Sequence, residues 1–199
     1  MLFRSDKLKL RFVKVQQKNF LENVISNADY KFLKSSLLKD GHKDWYFVVW
    51  FMTATGARVS ELLQIKAEHV QAGHLDIYTK GGKVRRIYIP KTLQTEARQW
   101  LQERQVSSGY IFLNRFGQRI TTRGIAMQLK HFAGVYGLKR EVVYPHSFRH
   151  RYAKNFLDRF NDIALLADLM GHESIETTRI YLRRTASEQR KIVDKVVNW

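Results

Sequence analysis

The segment from Trp45 to Ala54 is apolar on every side of a helical projection, which is typical of a helix buried in a protein core. Its longest unbroken apolar run, Trp45 to Met52, has eight residues. A membrane-spanning helix needs about 20 such residues, so this run is too short to cross a bilayer. The other elements of the chain are therefore expected to pack around this helix.

The chain has enough apolar surface for one folded domain. Of its 199 residues, 44% are hydrophobic, and a globular chain of this size is expected to bury roughly 70% of its unfolded surface. This supports one domain, or a domain with a trailing arm, and excludes three independent cores. Cysteine is absent, which excludes disulfides, thiolate zinc sites and cysteine nucleophiles.

The charge balance indicates a polyanionic partner. There are 35 Lys and Arg residues against 18 Asp and Glu residues, which gives a formal net charge of +17. Nucleic acid is the commonest partner of such a chain, because each neutralised phosphate releases a counterion. The alternative is a ribosomal-type or merely soluble basic protein. No signal peptide opens the sequence, and we expect a soluble, cytoplasmic protein with no membrane partner.

The pattern along the chain predicts a mainly α fold with a small antiparallel β-sheet. Alternating apolar residues on either side of Gly81-Gly82 predict a hairpin. Helical patterns are expected over approximately Ser26–Gly41, Trp45–Ala54, Val59–Ile65, Lys91–Arg104, Thr122–Tyr136, Ser147–Phe160, Asp162–Met170 and Ser174–Leu182, with a short strand or extended link at Tyr110–Leu113.

Three regions are expected. Residues 1–24 are basic and weakly patterned, which is typical of an arm or interdomain linker. Residues 25–183 form the domain itself. Residues 184–199 predict a detachable final helix, because Thr185 and Glu188 form a capping box before an apolar stripe of Ile192, Val196 and Trp199.

Arg58 lies at a break between the apolar helix and the next one. An unpaired guanidinium would be costly to bury there, so Arg58 needs a partner. Glu61, three residues later, can orient it by hydrogen bonds and leave part of the guanidinium free for an anion. The alternative is a plain structural ion pair.

A basic hairpin tip is predicted around Gly81-Gly82. Its cations are Lys80, Lys83, Arg85 and Arg86. The glycines permit close approach of the backbone to a ligand, and a lysine at the tip can place its ammonium beside a bridging oxygen. Solvated charge on an exposed turn is the alternative.

His146 and Arg149 follow Pro145 at positions i and i+3, so both project from one face of a helix start and suit a phosphate. A zinc site is the alternative, with His146 and His150 at i, i+4 and His172 as a third ligand. The arginines beside these histidines, and the lack of a Glu between the first two, count against zinc.

His172 is expected in a turn between two helices, and Tyr181 follows nine residues later among basic residues. A tyrosine is most often a core or interface residue. Neighbouring guanidinium groups are expected to lower the energy of the Tyr181 phenolate, which would suit a nucleophile.

Read in order, these motifs resemble the catalytic domain of the tyrosine recombinases, the phage integrase family. The resemblance covers about residues 25–199 and rests on Thr-Gly-Ala-Arg58-Val-Ser-Glu-Leu, Lys80-Gly-Gly-Lys-Val-Arg-Arg, His146-Ser-Phe-Arg149-His, Gly-His172 and Tyr181. It implies the integrase catalytic-domain fold and a site-specific recombinase that cuts and rejoins double-stranded DNA through a 3′-phosphotyrosine, for integration or excision of a mobile element.

The resemblance also implies residue roles. Arg58, Lys80, His146, Arg149 and His172 would surround the scissile phosphate and Tyr181 would attack it, with Glu61 and His150 in support and Lys83, Arg85, Arg86 and Arg179 contacting DNA. We expect His146 to accept the phenolic proton, unless the acidity induced by the arginines suffices, and Lys80 to protonate the leaving 5′-oxygen. No metal or cofactor is expected.

The family further implies a monomer when free, a homotetramer in the DNA synapse, a possible accessory DNA-bending or excision factor, and a bacterial host. Family members carry a helical core-binding domain before the catalytic domain, whereas only the basic arm precedes it here. The chain is therefore interpreted as a catalytic-domain fragment, with a self-contained short recombinase as the alternative.

Three other functions stay open at this point. A DNA-binding regulator without catalysis would satisfy the charge and the basic hairpin. A metal-dependent nuclease or transposase needs clustered carboxylates, of which Asp158 and Asp162 are the best pair. A topoisomerase that nicks and reseals DNA would share the chemistry of the recombinase.

Overall fold

The structure, a computed structural model, describes residues 23–78, 84–182, 190 and 193–197. Within these ranges the chain is mostly helical with one antiparallel hairpin, which confirms the predicted fold class. In chain order the elements are α1 (Asn27–Lys39), α2 (Lys43–Thr55), α3 (Val59–Leu62), α4 (Ala67–Ala72), β1 (His74–Tyr78), β2 (Val84–Tyr88), α5 (Lys91–Glu103), α6 (Thr122–Val135), α7 (Pro145–Arg159), α8 (Ile163–Met170), α9 (Ile175–Arg179) and a 3-10 helix (Ile180–Leu182).

Helix α2 forms the centre of the main core and packs against α1, α5 and α7. Phe47 and Phe51 are fully buried, and the Trp100 ring of α5 stacks on Phe47 with 4.4 Å between ring centroids. Trp100 also donates its indole N–H to Asp44 at 2.9 Å, so its one polar atom is satisfied. Burial of each such side chain stabilises the fold by about 1.5–3 kcal/mol. The apolar Trp45–Ala54 segment is thus a core helix, as predicted.

Strands β1 and β2 place alternate side chains on opposite faces. In the register, Leu75 lies opposite Ile87 and Asp76 opposite Arg86. Arg85 and Ile87 are buried, whereas Arg86, between them, is exposed. The hairpin therefore directs one of its arginines into the protein and the next one outward. Residues 81 and 82, where the Gly-Gly turn is predicted, lie outside the described residues.

A smaller apolar cluster joins α7, α8 and the 3-10 helix. Its buried members are Ala153, Leu157, Leu166 and Met170, and Tyr181 packs against them while partly buried. Helix α7 begins at Pro145, two residues before the predicted start. Its first turn also binds the N-terminal end of the described chain, because Ser147 Oγ accepts the N–H of Ile25 at 2.8 Å.

One helix was not predicted, and the segment expected as a short strand or extended link takes the second of these forms. Helix α4 was not predicted: it is short, begins where His69 Nδ1 accepts the N–H of Lys66 at 3.1 Å, and ends at Gly73 with φ of 79°. The segment Tyr110–Leu113 forms only isolated bridges, one between Lys66 and Tyr110 and another from Leu113 to residue 119. The two elements meet through contacts that are distant in sequence, because Ala67, the first residue of α4, also donates its N–H to the carbonyl of Gly109 at 2.9 Å.

The predicted arm and tail fall mainly outside the described residues. The capping pair Thr185 and Glu188 lies there, as do Ile192 and Trp199, whereas Val196 is described and exposed. Across the part of the chain that the structure covers, no helix combines the length and the hydropathy of a bilayer span.

Candidate active site

The C-terminal end of α8 binds three arginines from three different elements. The last carbonyls of a helix lack partners within the helix and carry partial negative charge, so they attract cations. Three consecutive carbonyl oxygens are used, each by one guanidinium: Leu169 accepts from Arg85 at 2.8 Å, Met170 from Arg149 at 2.7 Å, and Gly171 from Arg58 at 3.0 Å. This helix end therefore gathers β2, α7 and the start of α3 at one place.

Glu61 fixes the orientation of Arg58, as the spacing of the two residues suggested. Its carboxylate accepts the backbone N–H of Arg58 at 2.7 Å and the Nη1 of Arg58 at 2.9 Å. The first of these bonds caps α3, because Arg58 is its N-cap residue. The Arg58 side chain remains 41% exposed, so part of its guanidinium faces solvent and can meet an anion.

Arg85 has a different environment from the one predicted. Its Nη1 lies 2.6 and 2.7 Å from the two carboxylate oxygens of Glu61, and its side chain is only 6% exposed. The expectation that Arg85 contacts DNA at an exposed hairpin tip is therefore wrong. The reason is strand alternation, which turns Arg85 to the same inner face as Ile87.

Glu61 stays ionised between these two arginines. Burial alone would raise its pKa, but the positive charge of Arg85 and the hydrogen bonds from Arg58 and Arg85 outweigh burial and hold the pKa below its ordinary value. A buried carboxylate with several donors of this kind is a fixed negative charge that keeps the arginines in place.

Two glycines permit the close packing at this site. Gly171 ends α8 with φ of 61°, and a Cβ there would overlap the Cδ of Arg85. Gly56 follows α2 with φ of 63°, and a Cβ there would overlap the ring of Tyr152. Both positions require a left-handed backbone and an approach that other residues do not allow.

Arg149 is buried at the floor of the site. Its Nη1 donates to the carbonyl of Gly56 and its Nη2 lies 3.1 Å from His172 Nε2. Burial, with smaller effects of Arg58 and Arg85, lowers the pKa of Arg149 to about 10. The guanidinium is therefore still protonated at neutral pH.

The hydrogen bonds of His172 determine its tautomer. Since Arg149 can only donate, His172 Nε2 must accept, and the proton lies on Nδ1, which is 2.7 Å from Thr178 Oγ1. Burial and then the nearby arginines lower the pKa of His172 to about 4, so the ring is neutral. In this arrangement Nε2 cannot donate to a phosphate, as the predicted role requires, until it gains a proton and separates from Arg149.

Tyr181 contacts His150. The phenolic oxygen lies 2.7 Å from His150 Nδ1, and the centroids of the two rings are 5.5 Å apart. Burial raises the pKa of Tyr181 to about 12, and the positive charge of Arg149 offsets this only in part. The expectation of a more acidic phenol is therefore wrong in its net direction, although the effect of the arginine has the expected sign.

His146, the predicted acceptor of the phenolic proton, lies on α7 together with His150. In the part of the chain that the structure describes, it makes no hydrogen bond to Tyr181. Its ring centroid is 6.4 Å from that of His150. Partial desolvation, then Arg149 and Arg58, lower the pKa of His146. The sequence predicts only a supporting role for His150. The i, i+4 spacing of His146 and His150 was the signal that could have placed His150 beside Tyr181.

Of the remaining residues predicted for the site, two lie outside the described residues and two form exposed ion pairs. Lys80 and Lys83 lie outside the described residues. Arg86 pairs with Asp76 on the outer face of the hairpin at 2.7 Å, and Arg179 pairs with Glu176 at 3.0 Å while 65% exposed. In the described ranges no three or more His, Asp or Glu side chains form a group that could hold a metal ion. The DNA contacts of Lys83, Arg86 and Arg179 stay predictions.

The chain belongs to the phage integrase family, because the sequence model of that family matches residues 22–188. Among curated proteins it is similar to tyrosine recombinase XerA of Pyrococcus furiosus, with 33% identity over 181 residues that cover 88% of this chain and 62% of that protein. The chain spans about half the length of the curated relatives it matches, for example 44% of tyrosine recombinase XerC of Pseudomonas putida.

Two solved structures support the fold assignment. The crystal structure of XerA recombinase superposes with a TM-score of 0.71 at 24% identity, covering 86% of this chain and 62% of that one. The structure of the XerH site-specific recombinase bound to its difH substrate in a pre-cleavage complex superposes with a TM-score of 0.67 at 26% identity, covering 85% of this chain and 53% of that one. The resemblance seen in the sequence is thus confirmed at the level of family and fold.

Proposed function

We propose that this chain is the catalytic part of a site-specific DNA recombinase that cuts and rejoins DNA through a 3′-phosphotyrosine. The observation that carries the proposal is that the Tyr181 phenol contacts His150, the residue next to Arg149, and that Arg149 and Arg58 bind the end of α8 beside His172. Family membership and the similarity to XerA and XerH support it.

Arg58 and Arg149 supply the cations that a phosphodiester needs. Charge builds on the nonbridging oxygens as the pentavalent transition state forms, and fixed donors stabilise it without reorganising. The two guanidinium groups are held by backbone carbonyls and, for Arg58, by Glu61. One preorganised donor of this type is worth about 3–4 kcal/mol in such sites.

Tyr181 is the proposed nucleophile. Its oxygen attacks phosphorus and displaces the 5′-oxygen, which we propose takes a proton from Lys80. The covalent intermediate conserves the energy of the phosphodiester, so a 5′-hydroxyl of a second strand can reverse the step without ATP. His146 and His172 are proposed to contact the phosphate, with His172 donating after it gains a proton on Nε2.

Double-stranded DNA is the proposed partner, and the net charge of +17 favours it. Strand exchange between two duplexes requires four active sites, so we propose a homotetramer on DNA and a monomer in its absence. Residues 184–199 are proposed to pack on a neighbouring protomer, and integration or excision of a mobile element is the proposed biological use. Because the chain spans only part of the length of its relatives, the oligomeric states and the biological use are proposed for the whole protein.

The test is covalent capture on DNA. A randomised pool of nicked duplexes is incubated with the protein, and adducts that survive SDS are counted. We expect adducts with the native chain and none with Tyr181→Phe, while DNA binding is retained in both. The control is Tyr136→Phe, which removes a hydroxyl that donates to Asp40 at 3.0 Å, at the end of α6. DNA binding without adducts in any of the three proteins would show a binding protein and contradict the proposal.

A further inference from the structure

We propose that His150, and not His146, is the catalytic residue that accepts the phenolic proton of Tyr181 as the phosphotyrosine bond forms. This inference rests on the proposed function and assigns a step that the function leaves open. It follows from the contact between a ring nitrogen of α7 and the phenolic oxygen of the 3-10 helix.

The geometry of the contact suits proton transfer. A general base must lie within about 2.6–3.2 Å of the atom whose proton it takes, and His150 Nδ1 is 2.7 Å from Tyr181 Oη. The positions of both residues are restrained by the elements that carry them. His150 is held in the middle of α7, and Tyr181 packs on the apolar cluster that includes Ala153 and Met170.

The surroundings of His150 keep its ring neutral, so the lone pair of Nδ1 is free. The proton moves to it only as the Tyr181 oxygen loses basicity by forming its bond to phosphorus. The groups that face it are His146 and Arg149 on its own helix, and Tyr181 and His172 from the elements packed against α7. Burial, and then His146 and Arg149, lower the pKa of His150 to about 4. A neutral ring that accepts at Nδ1 carries its proton on Nε2, so Nδ1 offers a lone pair to the phenol.

The step balances with the groups already named. The Tyr181 Oη–P bond forms as the P–O5′ bond breaks, and the phenolic proton passes to His150 Nδ1, which makes an imidazolium. The leaving 5′-oxygen takes its proton from another group, for which Lys80 is the sequence-based candidate. In the rejoining step the imidazolium returns its proton to the departing Tyr181 oxygen.

A base is needed here because Tyr181 is a weak acid in this site. Its pKa of about 12 leaves almost no phenolate at neutral pH. Without an internal base, hydroxide must remove the proton, and the rate then rises about tenfold with each pH unit. With His150 as the base, the rate is flat wherever the ring is neutral.

The test compares the pH dependence of adduct formation in single turnover. The substrate is the set of nicked duplexes recovered from the randomised pool, and the protein is the full chain. In His150→Asn, the amide oxygen can still accept a hydrogen bond from the phenol but cannot take its proton. We expect the rate at neutral pH to fall at least about 100-fold and to rise about tenfold per unit between about pH 6 and 9, whereas the native rate stays flat.

Three further variants sharpen the test. His150→Ala should recover adduct formation when imidazole is added, in proportion to its free-base form. His146→Asn should keep the flat profile, whatever its effect on the rate. The matched control is His131→Asn, which lies exposed on α6 and should behave as the native chain.

A flat profile and a native rate in His150→Asn would overturn the assignment, and a faster rate would show that His150 holds the phenol away from phosphate. If the native chain forms no adduct, the proposed function fails together with this step, which is a separate outcome. Nitrogen NMR of the native chain without DNA adds a measurement independent of the variants' folding: His150 Nδ1 should give the signal of an unprotonated ring nitrogen at neutral pH, and a protonated Nδ1 would overturn the assignment.

Discussion

Nη1 of Arg85 lies 2.6 and 2.7 Å from the two carboxylate oxygens of Glu61, and both side chains are almost completely buried. The Glu61 carboxylate also accepts a hydrogen bond from Arg58, and the Arg85 guanidinium also donates one to the carbonyl of Leu169. One buried ion pair thus connects the β-hairpin, the start of α3 and the end of α8. The orientation of Arg58 toward solvent depends on this connection.

Replacing Arg85 by Gln should destabilise the fold strongly. The substitution leaves the Glu61 carboxylate buried with Arg58 as its remaining cation. Breaking a buried pair by removing one partner costs about 3–5 kcal/mol. Urea denaturation measures the loss. The matched control is Arg86→Gln, because Arg86 pairs with Asp76 on the exposed face of the same strand. Its midpoint should stay at the native value, and equal losses in the two variants would contradict the buried role of Arg85.

Gly171→Ala should destabilise the protein more than Gly137→Ala. Both glycines have φ near 60°, at 61° and 65°, so each alanine carries the cost of a left-handed backbone, about 1–2 kcal/mol. A Cβ at Gly171 would also overlap Arg85, whereas a Cβ at Gly137 meets nothing within 4 Å. Overpacking adds roughly 1–3 kcal/mol. The difference in unfolding free energy between the two variants isolates the overlap, and a difference of zero would show that Arg85 moves aside freely.

Stability should rise with pH between about pH 4 and 6.5. The pKa values of His150 and His172 are about 4 in the folded protein, below the ordinary value of 6.5. In that interval the unfolded chain binds more protons than the folded one, so the folded state gains stability as pH rises and loses it as pH falls. Denaturation midpoints at several pH values measure the slope. The slope should become shallower in His172→Asn and stay native in His131→Asn, whose parent residue is exposed on α6.

Local patterns in the sequence were sufficient for the elements that depend on local physics. The apolar segment around Phe47 and Phe51 predicted the core helix because a helix without a polar face must be buried. The three-residue spacing of Arg58 and Glu61 predicted their contact, which the structure forms as a capping box, because Arg58 is the N-cap residue of α3 and Glu61 lies in its first turn.

Contacts between distant segments were beyond these patterns. The environment of Arg85 depends on Glu61, 24 residues earlier, and Leu169, 84 residues later. Period-two alternation with Ile87 was a clue in the sequence, but nearness to the turn suggested exposure instead. The raised pKa of Tyr181 results from burial against α7 and α8, which the surrounding basic residues do not reveal. The partner of His150 likewise depends on how the 3-10 helix packs.

The central claim is that the Tyr181 oxygen attacks DNA, and peptide mapping of the covalent adduct tests it most directly. The SDS-resistant complex is digested with nuclease and trypsin, and the modified peptide is sequenced by mass spectrometry. We predict a single nucleotide 3′-phosphate on the Tyr181 oxygen. Attachment at any other residue, or DNA cleavage with no protein attached, would contradict the account.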